Sequence, residues 1–86
     1  MVYRLEVLSE ASKTLSELDR PIGRRIFDKL AWLSENIRSL TSLPLSGDLA
    51  GFYKLYIGVY RAVYSIDHEN KIVSVHNVGH RKNVYD

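Results

Sequence analysis

Eighty-six residues, 45% hydrophobic and 26% charged, describe a single ordinary globular domain over residues 1–86, near the small end of what folds without staples. The lack of cysteine excludes a disulfide framework and thiolate metal sites, and no apolar run approaches the roughly 20 residues that span a bilayer. A net charge of +2 is too small to argue for nucleic acid by itself, yet residues 1–50 hold seven basic and seven acidic side chains and residues 51–86 hold five and three, so the whole excess lies in the second half.

From the N-terminus, Val2 to Leu8 alternates, with Tyr3, Leu5 and Val7 on one face and Arg4 and Glu6 on the other, as in a half-buried strand. Arg4 and Glu6 also stand where a signal peptide needs an apolar core, so the protein is expected in the cytoplasm. Ser9 is placed to cap a helix whose stripe is Ala11, Leu15 and Leu18. Pro21 marks a break and suits the first turn of a second helix, with Ile22, Ile26, Leu30, Leu33 and Ile37 as its inner stripe and Phe27 and Trp32 widening it. Trp32 reads as core there, and Arg24, Arg25 and Lys29 as a solvated polar face. Periodicity stops from Ser39 to Gly51, where Pro44, Ser46-Gly47-Asp48 and Gly51 supply turn chemistry. Strands follow over 52–57 and 59–67, then a turn at His68-Glu69-Asn70 and a strand from Lys71 to Val78. This order predicts an α+β fold in which one helical hairpin covers one face of a sheet and leaves the other open.

Parity assigns the open face. Leu55 and Ile57 take the buried side of their strand, so Lys54 and Tyr56 point the other way; Tyr60, Ala62, Tyr64 and Ile66 are uniformly apolar, which sends Arg61 to the same open surface. The plain reading of this trio is of solvated residues that blunt a sheet face; the functional one is a working surface. His76 and His80 are four apart, which makes neighbours on a helix but not on a strand, and no carboxylate or cysteine joins them at ligand spacing, so no metal site is expected. His68 belongs to a turn. No phosphate-cradling glycine loop and no nucleophile elbow occur. What remains is a basic and phenolic set: Lys54, Arg61, Arg81, Lys82, Tyr56 and Tyr85. Such a set offers phosphodiester chemistry cations for the charge that builds on phosphorus and groups that move protons.

Leu45 to Gly51, Tyr53-Lys54-Leu55, Gly58-x-Tyr60-Arg61-x-x-Tyr64 and Val78-Gly79-His80-Arg81-x-x-Val84-Tyr85 resemble, in order and over the whole chain, the RelE toxins of the RelE/ParE superfamily. The resemblance implies a four-stranded antiparallel sheet backed by two helices, in the order β-α-α-β-β-β. It implies the toxin of a type II toxin-antitoxin system, a ribosome-dependent and metal-independent mRNA endonuclease that needs no cofactor, cleaves by 2′-hydroxyl attack and inhibits translation. The partners it implies are a cognate antitoxin, the ribosome and mRNA, with no membrane. By position, Lys54 matches a lysine that stabilises the transition state and Arg61 an arginine held against the scissile phosphate. Arg81 matches one that stabilises charge and protonates the leaving group, and Tyr85 the tyrosine that activates the 2′-hydroxyl. Further RNA contacts are expected of Lys82, of His80, and of Tyr56, which stands where the family often has an arginine and is suited to stacking on a base. Two other readings stay open: a ParE-like DNA gyrase inhibitor, which shares the fold without needing Lys54, Arg61, Arg81 and Tyr85, and a non-catalytic module that only binds an antitoxin.

Overall fold

The N-terminal alternation makes β1 (Arg4–Val7), whose Leu5 and Val7 join Tyr3 against the core while Arg4 and Glu6 pair with each other at 3.3 Å. The computed structural model describes residues 2–40, 43–44 and 50–80. After β1 come α1 (Ser9–Glu17) and α2 (Arg20–Asn36), which ends in a short 3-10 turn at Ile37–Ser39. Ser9 is already helical and Leu8 occupies the cap position without a side-chain hydrogen bond, so the expected serine cap does not form. Pro21 sits in the first turn of α2, where its missing N–H costs nothing.

Ile26, Leu30, Leu33 and Ile37 are buried, with Ile22 packed beside them, so the inner stripe of α2 is as expected. Phe27 and Trp32 do not widen it: they are 47% and 39% exposed. At about 100° per residue they stand roughly 100° and 120° from the centre of that stripe, on opposite flanks, beyond the arc that one sheet face covers. Trp32 instead carries the Lys29 ammonium 3.8 Å from its ring centroid.

The second half supplies β2 (Leu43–Pro44), β3 (Tyr53–Ile57), β4 (Tyr60–Asp67) and β5 (Ile72–His80). The sheet order is β1-β5-β4-β3-β2, with β4 at the centre. Neighbours are antiparallel except β1, which runs parallel to β5 from Arg4 opposite Ile72 to Val7 opposite Val75. The α+β class and element order are those expected, while the sheet is mixed and gains β2 at its edge. Alternation encodes the face a side chain takes and leaves the neighbouring strand open, which is why the parallel pairing is a structural finding. The core lies between the helices and one sheet face, where Ala62, Tyr64, Val73, Val75 and Val78 meet Ala11 and the α2 stripe. Among the described residues, no helix is long and apolar enough to cross a membrane.

Candidate functional site

The face turned away from the helices is built in rows across β3, β4 and β5. Tyr56 stands opposite Arg61, and Arg61 opposite Gly79. One step along, Lys54 stands opposite Val63, and Val63 opposite Asn77. A third row follows from the contacts at the start of β3: the Phe52 ring meets the His76 ring at 4.9 Å, and His76 Nε2 is 2.8 Å from Ser65 Oγ.

The first two rows meet at the Tyr56 ring, which has Lys54 Nζ 5.7 Å and Arg61 Cζ 5.8 Å from its centroid. The Arg61 guanidinium, which donates to the phenol oxygen, and the nearby Lys54 ammonium together hold the Tyr56 phenol below the usual tyrosine range. Both cations favour the phenolate. Tyr56 is 42% exposed, whereas Arg61 is only 2% exposed. That corrects the expectation of Arg61 as an open cation: parity places it on the intended face, on the central strand β4, where it is buried. A guanidinium in such a place is fixed in direction, as bidentate recognition of a phosphate requires.

The structure thus brings Lys54, Tyr56 and Arg61 together. His80 stands opposite Tyr60 and meets its ring at 5.8 Å. Tyr60 packs against the core, so His80 is placed on the helix side at the end of β5 rather than beside Arg61. Arg81, Lys82 and Tyr85 lie outside the described residues. Cavities of about 600 and 300 Å³ lie elsewhere, one beside Tyr3, Arg38, His68 and Lys71 and one between α2 and the β3–β4 turn. Among the described residues, no group of three or more His, Asp or Glu is placed to hold a metal ion.

His76 is the residue that sequence parity left out. Val63 pairs with Asn77 and Tyr64 with Val75, so His76 is an inserted residue in β5, a bulge that carries its ring onto the open face. The signal was present in the apolar spacing, which steps by two from Val73 to Val75 and then by three to Val78.

Fold and face together define a small α+β domain whose sheet face away from the helices gathers cations around a phenol and suits an anionic partner. A family profile, that of the ParE toxin of the type II toxin-antitoxin system parDE, matches residues 5–85. The chain belongs to this family, within the RelE/ParE superfamily of toxins. Among solved structures, it is similar to the RelBE2 toxin-antitoxin complex of Mycobacterium tuberculosis, at 27% identity over 96% of this chain and 95% of that one, with a TM-score of 0.85. A mutant of the Escherichia coli toxin RelE in the free state matches at 27% identity over 95% of this chain and 86% of that one, TM-score 0.77. A YoeB/ParE toxin of Agrobacterium tumefaciens shares the fold at 18% identity over 90% and 96% of the two chains, TM-score 0.69. Among curated protein sequences, none matches significantly.

Proposed function

We propose that this toxin is an mRNA endonuclease that acts on the translating ribosome and is restrained by an antitoxin. The observation that carries the reading is the convergence of Lys54 and Arg61 on the Tyr56 ring across the sheet face away from the helices. In this reaction the 2′-oxygen of one nucleotide attacks the neighbouring phosphorus and loses its proton, while the 5′-oxygen leaves and takes one up. Lys54 and Arg61 offset the added negative charge on the phosphorane. Arg81 serves the leaving oxygen, in keeping with the family resemblance. The proton of the 2′-hydroxyl passes to the oxygen of a tyrosine phenolate, which becomes the neutral phenol; Tyr85 is the family's position for it, and Tyr56, whose phenolate is favoured by two cations, is a second. None of these steps calls for a metal. The ribosome's contribution is geometric: it holds the message bent, with the 2′-oxygen in line with the scissile phosphate.

The M. tuberculosis relative was solved in a toxin-antitoxin complex, and the same kind of partner is carried over to this chain. The test compares primer extension on one message, with and without ribosomes stalled on it, at equal toxin concentration. Cuts within codons that depend on ribosomes support the reading; equal cutting of free RNA makes the protein a self-sufficient ribonuclease. The ParE description of the matching family favours a second reading, inhibition of DNA gyrase. Intact transcripts together with DNA damage on induction would select it, and intact transcripts and DNA would leave a module that only binds its antitoxin.

A further inference from the structure

The third row of the open face takes no part in the chemistry above. Phe52, Ser65 and His76 are each half-buried, so they are reachable from solvent without belonging to the core. The Phe52 and His76 rings meet edge to face at 88°, and the Ser65 hydroxyl is held 2.8 Å from His76 Nε2. A hydroxyl and an imidazole each act as donor or acceptor according to their partner, so the pair offers an adaptable hydrogen-bonding edge next to an aromatic ring. Among the described residues no carboxylate hydrogen-bonds the imidazole, which argues against a serine nucleophile with an oriented base. The bulge at His76 brings the ring to this face, and bulges re-aim side chains in this way beside functional sites. Phe52 precedes Lys54 by two residues, about 7 Å along the strand, a separation suited to a nucleotide adjoining the one whose phosphate Lys54 and Arg61 hold.

We infer that Phe52, Ser65 and His76 form a subsite for one unpaired nucleobase flanking the cut, with an aromatic ring for stacking and the Ser65–His76 pair for the base edge. This rests on the nuclease reading for the position of the phosphate. The subsite selects where the toxin cuts rather than how fast the bond breaks.

Two measurements test it. New 5′ ends on a translated message are mapped by sequencing for the wild type, Phe52→Leu, Ser65→Ala and His76→Gln. The wild-type base preference at one of the two nucleotides flanking the cut is expected to shrink by about twofold to tenfold in Ser65→Ala and His76→Gln, the range that loss of one hydrogen bond to the base edge gives, with a smaller change in Phe52→Leu because stacking tolerates every base. Preference identical to wild type in all three variants overturns the subsite. In the second measurement, trinucleotides of each single base are titrated into the wild-type protein while the ring protons of His76 are followed by NMR, with His68, in the turn after β4, as reference. A saturating, base-dependent shift at His76 with His68 still is expected; no shift at His76 overturns the subsite whether or not the protein cuts RNA. A wild type that leaves translated message intact ends the nuclease reading instead, and the titration then decides the subsite alone.

Discussion

Replacing Arg61 by glutamine removes the guanidinium that donates to the Tyr56 phenol, and the variant reads out twice. Cleavage of translated message should fall by about a hundredfold or more, because a lost transition-state contact of roughly 3 to 4 kcal/mol is expected. Wild-type cutting in Arg61→Gln would remove Arg61 from the site. The second readout is the Tyr56 titration, followed by absorbance of the phenolate. With the Arg61 donor and charge gone, the phenolate is less favoured, so Tyr56 should titrate at higher pH than in the wild type, with Lys54 still opposing a full return. A phenol whose folded-state pKa is depressed favours the folded state only at alkaline pH; that contribution is complete above the unfolded pKa and lost as pH falls through the folded one. Stability near neutrality should therefore not depend on this ionisation. Tyr85→Phe and Tyr56→Phe separate the two phenols: the one that takes the 2′-hydroxyl proton should slow single-turnover cleavage while the melting temperature stays within a few degrees.

The β3–β4 hairpin is the element on which the site depends, since it sets Lys54 and Tyr56 across from Val63 and Arg61. Its turn needs Gly58 at φ 60°, a left-handed conformation, and a β-carbon there would meet Arg25 Nη2 at 2.9 Å. Gly58→Ala should cost about 1 to 2 kcal/mol in a urea titration, chiefly from the backbone term, because the Arg25 side chain is free to swing aside. An unchanged midpoint would mean that the turn tolerates another backbone. On α2, the period of 3.6 was legible and its width was not. A stripe drawn from spacing has no edge until the partner surface is known, and that surface leaves Phe27 and Trp32 outside it.

For the whole molecule, the charge excess of residues 51–86 and the cations of the open face favour an antitoxin that is net acidic and covers that face. Toxin-antitoxin affinity measured over a salt series should weaken as salt rises. Affinity independent of salt would shift the weight to apolar anchors, for which Val59 and Trp32 are exposed.

Sequence alone determined the faces. Strict alternation sent Leu55, Ile57, Ala62 and Tyr64 inward and Lys54, Tyr56 and Arg61 to one surface, because a strand's side-chain period leaves only two sides to choose from. The same pattern carried the order of the elements and the resemblance to a toxin family. Tertiary structure decided what period cannot encode. It buried Arg61, since parity fixes the face a side chain takes and not what packs around it, and it laid β1 parallel to β5. It also carried His76 to the working side, because one inserted residue breaks parity between two strands, and only their pairing shows on which side the extra side chain emerges.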